Sequence, residues 1–68
     1  MTPTPRQVGM RLKRIRETKG MSQTALAKRS KLSREHIVRL EGGRYDPTVT
    51  TLKKLAKALG VPVAALLE

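Results

Sequence analysis

Ser22-Gln23-Thr24-Ala25-Leu26-Ala27-Lys28-Arg29-Ser30-Lys31-Leu32-Ser33-Arg34-Glu35-His36-Ile37-Val38-Arg39-Leu40 is the stretch on which the fold turns. Ser22 and Ser33 each stand where a side-chain oxygen can accept a hydrogen bond from an unpaired backbone N–H of a first helical turn. Ala25/Leu26 and Ile37/Leu40 recur at one-face helical spacing. The spacing predicts two short helices, Gln23 to about Ser30 and Arg34 to Glu41, joined by a tight turn at Lys31-Leu32. In a strongly basic chain this pattern points to a helix placed in a DNA groove.

Outward from that stretch, Thr4-Pro5-Arg6-Gln7 offers a threonine cap, a proline at the first helical position and a glutamine able to reach back to the cap. Val8, Leu12 and Ile15 then form one apolar stripe, and Gly20 ends the first helix as a left-handed cap with Met21 as its trailing apolar contact. Gly42-Gly43 stops the third helix, since both glycines can take positive φ. Arg44-Tyr45-Asp46-Pro47 follows as a loop, because a residue before proline disfavours helix. Thr48 caps a fourth helix whose Leu52, Leu55, Ala56 and Leu59 share a face as far as Gly60. Pro62 is expected to open a last short helix with Val63, Leu66 and Leu67 as an apolar edge. The fold class is all-α, a compact bundle of five helices in one domain over residues 1–68, with residues 1–5 as a short N-terminal arm.

Composition narrows the function. A chain of 68 residues with 38% hydrophobic and 1% aromatic content must build a small core from aliphatic side chains. The absence of cysteine removes disulfides and thiolate metal sites, and a cytoplasmic location is expected. With no long apolar run, the chain reads as neither exported nor membrane-spanning. The formal net charge of +10 is relieved by a polyanion that releases its condensed cations, and nucleic acid is the expected partner.

If Ile37 and Leu40 face the core, helical rotation sets Glu35, Val38 and Arg39 on the opposite face, with Arg34 exposed on the first turn. Arginine can donate to the O6 and N7 acceptors of guanine, Val38 can touch a thymine methyl, and Glu35 can accept from cytosine or hold Arg34. Gln23 and Ser33 open their helices, where unpaired N–H groups and the positive end of the helix dipole suit a phosphate. His36 is the only histidine, with no cysteine and few carboxylates nearby to make a metal site or a nucleophile, so no catalytic, metal or cofactor role is expected; it is read as packing on helix two or meeting phosphate. Tyr45, the single aromatic, is read as a loop anchor.

Gly9-Met10-Arg11-Leu12-Lys13 to Arg16, Gly20-Met21-Ser22-Gln23, Leu26-Ala27, Ser33-Arg34, Ile37, Leu40-Glu41, Gly43 and Leu52 to Gly60-Val61 together resemble the Cro/C1-type helix-turn-helix family, the xenobiotic-response-element family. The resemblance runs from about Arg6 to Leu67. It implies a repressor-like DNA-binding domain with Gln23 at a phosphate and Arg34, Glu35 and Arg39 at bases. It also implies a pair of Arg16 with Glu41 that ties helix one to the end of helix three and aims the arginine at a phosphate. By the same resemblance, backbone N–H groups around Gly43 and Arg44 meet phosphate. The resemblance further implies a homodimer on an inverted repeat, with two reading helices about 34–36 Å apart. The Val63/Leu66/Leu67 edge or the Arg44-Tyr45-Asp46 loop can make that contact, unless the leucines finish the monomer core.

Two positions depart from the family pattern. Lys31 stands where many members place glycine, and positive φ there would cost roughly 1 kcal/mol. Ser30 stands at a commonly apolar place, so the end of helix two is expected to pack loosely. The leading expectation is a sequence-specific regulator of transcription that binds double-stranded DNA and has no enzymatic activity. The alternative is an antitoxin or adaptor whose main partner is another protein, with DNA binding for autoregulation. Binding to a membrane surface is disfavoured, because the apolar stripes are needed inside.

Overall fold

The computed structural model describes residues 2–68; Met1, part of the expected arm, lies outside the described residues. Four of the helices begin at a polar side chain. Thr4, Ser22, Ser33 and Thr48 cap α1 (Pro5–Thr18), α2 (Gln23–Ser30), α3 (Arg34–Glu41) and α4 (Val49–Leu59). Each side-chain oxygen accepts from the backbone N–H three residues on, at 3.1 Å for Gln7, 3.0 Å for Ala25, 3.0 Å for His36 and 3.1 Å for Thr51. Gln7 returns the favour to the Thr4 N–H at 2.8 Å, which completes a capping box. Pro5 is therefore the first residue of α1 and not the last of the arm.

The fifth helix, α5 (Ala64–Leu67), starts later than Pro62 and has no side-chain cap. The Pro62 and Val63 carbonyls accept from Ala65 and Leu66 at 3.0 and 2.9 Å, so a tight i to i+3 turn precedes it.

Each helix contributes one fully buried side chain, namely Leu12, Leu26, Ile37, Leu55 and Leu66. Burying such a side chain is worth about 1.5–3 kcal/mol, so these five residues alone bias the chain toward one arrangement. α1 packs on α3 and α5, while α2 lies between α3 and α4. Leu66 finishes the monomer core, and of the expected apolar edge only Leu67 remains exposed, with Val63 half-buried against the core. Ile15 is likewise only partly buried.

Gly9 is what lets α1 approach α3. A methyl group there would run into the Leu40 and Glu41 carbonyl oxygens, which are backbone atoms with no room to yield. Lys31 takes the left-handed conformation expected of it, with φ 62, and is the one non-glycine residue with positive φ among those described. Ser30 is buried; its hydroxyl donates to the Leu26 carbonyl at 2.7 Å and leans on that of Ala27 at 3.3 Å. A polar group thus closes the end of α2 with its hydrogen bond satisfied, so the expected loose packing is not found at Ser30 itself.

Candidate nucleic-acid interface

α3 is buried along one side only. Ile37 is 0% and Leu40 3% exposed, whereas Val38 is 40% exposed and Arg34, Glu35 and Arg39 lie open to solvent. The Arg39 guanidinium meets the Glu35 carboxylate at 2.6 Å, one helical turn apart. Glu35 therefore holds Arg39 and not Arg34, because adjacent helical residues diverge while i and i+4 share a face. Arg34 makes no salt bridge among the described residues.

At the helix N-termini, the Ser22 and Ser33 hydroxyls each take one backbone N–H, of Ala25 and His36. The N–H groups of Gln23 and Thr24, and of Arg34 and Glu35, have no acceptor among the described residues. Two pairs of donors therefore point outward at the positive ends of two helix dipoles. Gln23 is half-buried and donates its side-chain amide to Glu41 at 3.1 Å, so the side chain is turned toward the end of α3 and its backbone N–H is the freer donor.

Arg16 pairs with Glu41 as the resemblance implies, but it is turned inward and not toward a phosphate. It is 7% exposed, and its Nε and Nη2 donate to the two Glu41 oxygens at 2.6 and 3.0 Å while Nη1 donates to the Met21 carbonyl at 2.8 Å. The hydrogen bond to Glu41 holds the guanidinium above its ordinary pKa against the opposing pull of burial, so it stays charged. Each of the three nitrogens donates within the protein and the side chain is covered, so the guanidinium is held as a link between helices. Its role is to join α1, the end of α3 and, through Gln23, the start of α2.

The turn after α3 brings a second correction. The Gly42, Gly43 and Arg44 N–H groups donate to the Val38, Leu40 and Arg39 carbonyls, each at 3.1 Å. These amides finish the helix and are not free for phosphate. Gly42 stays helical at φ -81 and only Gly43 turns left-handed, at φ 69. A Cβ at Gly43 would also sit 2.8 Å from the Arg6 Cα, so glycine is required there for approach as well as conformation. The Arg44 side chain remains exposed.

His36 and Tyr45 form a feature that spacing could not reveal. Their ring centroids lie 5.4 Å apart at 43°, which makes the loop tyrosine a packing partner of His36. His36 Nε2 is buried without a hydrogen-bond partner among the described residues, and the ring serves as a packing surface. Burial holds the Tyr45 hydroxyl above its ordinary pKa, outweighing the nearby Arg39 charge. Val38, Arg39, Arg44 and Tyr45 together line a concavity of about 530 Å³ beside the exposed face of α3. Among the described residues no cluster suited to a metal ion occurs, and no helix is long and apolar enough to cross a membrane.

Comparison with known proteins places this geometry. The helix-turn-helix family profile matches residues 12–66. The immunity repressor protein of Bacillus phage phi105 is 41% identical over 59 residues, covering 87% of this chain and 41% of that protein. The uncharacterized HTH-type transcriptional regulator y4dJ of Sinorhizobium fredii is 46% identical over 54 residues, 79% of this chain and 70% of that protein. This chain thus corresponds to less than half the length of the phage repressor. Among solved structures, the restriction-modification controller protein C.AhdI of Aeromonas hydrophila superposes with a TM-score of 0.89 at 34% identity, over 91% of this chain and 94% of that one. With the profile spanning most of its length and these likenesses on both sequence and fold, the chain belongs to the Cro/C1-type helix-turn-helix family.

Proposed function

We propose that this chain binds double-stranded DNA sequence-specifically to regulate transcription, reading the major groove with α3. The observation that carries the reading is the one-sided burial of α3, which leaves Arg34, Glu35, Val38 and Arg39 exposed on a rod braced from behind by Ile37 and Leu40. Arg34 is free to donate bidentately to guanine, Arg39 is pre-oriented by Glu35, and Val38 offers an apolar surface to a thymine methyl. The free N–H groups at Gln23 and at the Ser33-capped start of α3 take phosphate oxygens, as does the exposed Arg44 side chain. Arg16 and Gly43 serve the interface indirectly, by fixing the helices and the turn. Relatives named as an immunity repressor and as transcriptional regulators support the regulatory part of the reading.

One α3 covers only a few base pairs, so the chain acts as a homodimer on an inverted repeat, in the cytoplasm and without enzymatic activity. Selection of bound duplexes from a random pool tests this reading: palindromic enrichment is expected, and no enrichment would overturn it. Affinity should also fall by about 10³–10⁵ between 50 and 200 mM salt if about 6–10 phosphates are met.

A further inference from the structure

A second concavity lies where the end of α2 meets α4. It encloses about 380 Å³ and is lined by Arg29, Ser30, Lys31, Lys54, Lys57 and Ala58. Its four cations are exposed, and none makes a salt bridge among the described residues. Nor does the lining itself supply a counter-charge. The acidic residues of the chain are Glu17, Glu35, Glu41, Asp46 and Glu68, so α2, the turn after it and α4 carry none. Lys53 and Lys57, one turn apart on α4, add like-charge repulsion. Lys31 supplies its cation from a left-handed backbone where glycine would sit without strain. The folded chain thus gathers several unfavourable features around one cleft, and carboxylates would relieve the electrostatic ones.

We propose that this cleft is a docking site for an acidic polypeptide segment, whose Asp or Glu side chains enter between Lys31 and Arg29 on one wall and Lys54 and Lys57 on the other. Shape favours a peptide over a duplex. A cleft of this volume accepts a few side chains, with Ala58 and the lysine stems as apolar contact, whereas a duplex is a broad convex rod that touches protruding charges. Position agrees, because α2 packs against both α3 and α4 and the cleft is lined by residues of α2, the turn after it and α4, with none from α3. The site does not depend on the proposed reading of DNA.

The test is amide chemical-shift mapping of the full chain at physiological salt. The probe is an N-acetylated Glu-Glu-Leu-Glu-Glu peptide, with and without a duplex of arbitrary sequence. The peptide is expected to move the amides of residues 29–31 and 54–58 and to keep them moved when duplex is added. Lys54→Gln with Lys57→Gln should weaken the peptide about five- to tenfold. Lys13→Gln with Arg14→Gln, an equal charge change on α1, should weaken it less than about twofold because distant charges are screened. Lys31→Gly, which frees the backbone, should still weaken the peptide about two- to threefold. Displacement of the peptide by duplex, equal loss in the α1 variant, or shifts spread over every basic surface would each overturn the proposal. A duplex that fails to bind would instead count against the DNA reading alone.

Discussion

Arg16–Glu41 and Arg39–Glu35 are ion pairs of equal length, 2.6 Å each, in opposite surroundings. The first pair has side chains 9% and 5% exposed, and the second 61% and 71%. In the covered corner, Glu41 accepts from Arg16 twice and from Gln23 once, so each buried charge has its partners and three helices are joined at one carboxylate. On the open face of α3, the same two residue types are screened by water and can trade partners when a ligand arrives. Burial, not contact length, decides which pair belongs to the fold and which stands on the proposed interface.

Removing one side of the covered pair should give the largest effect. Glu41→Ala leaves the Arg16 charge uncompensated and should cost about 3–5 kcal/mol in urea unfolding. That is much of the roughly 3–10 kcal/mol available to a chain this small. Arg16→Met combined with Glu41→Leu should recover most of the loss, since the penalty lies in the stranded charge. A single substitution costing under about 1 kcal/mol would erase the contrast between the two pairs.

Next in size is an effect on binding alone. Arg34→Ala should weaken the selected duplex by about 1–3 kcal/mol and relax preference at one base position, with thermal stability unchanged. An identical selected consensus would remove Arg34 from the base-reading set. Lys31→Gly should then raise stability by about 0.5–1 kcal/mol, because the left-handed strain disappears although glycine loses more entropy on folding. In a chain of this size 1 kcal/mol corresponds to about 4–8 °C in Tm, so a lowered midpoint would contradict the strain.

The exposed pair should register least in stability. Glu35→Gln is expected to change unfolding by no more than about 0.5 kcal/mol while altering base preference through the released Arg39. The Tyr45 titration sharpens the same division at the rim of the interface. Its folded pKa is raised, so its contribution is complete below the ordinary phenol range near 10 and fades as pH rises through the folded value. Tyr45→Phe should remove that alkaline decline, and an unchanged decline would place it elsewhere.

Local chemistry was the legible part of this fold. Serine and threonine caps act within one helical turn, so Thr4, Ser22, Ser33 and Thr48 mark their helices from sequence alone, and the aliphatic spacing of α3 already tells its buried side from its open one. What spacing could not supply depends on which element lies opposite. The stripe on α1 says nothing of the carbonyls that require Gly9, nor of the Glu41 carboxylate and Met21 carbonyl that consume Arg16. The family resemblance put the amides of Gly43 and Arg44 at phosphate, yet helix closure takes both. His36 and Tyr45 meet across a turn whose path no pattern specifies.

The most direct measurement is amide chemical-shift mapping of the full chain against its selected duplex. The largest shifts are predicted at residues 33–39, at the start of α2 and at Arg44, with the residues of α5 unmoved. An unmoved α3 beside shifts concentrated on some other surface would contradict the account.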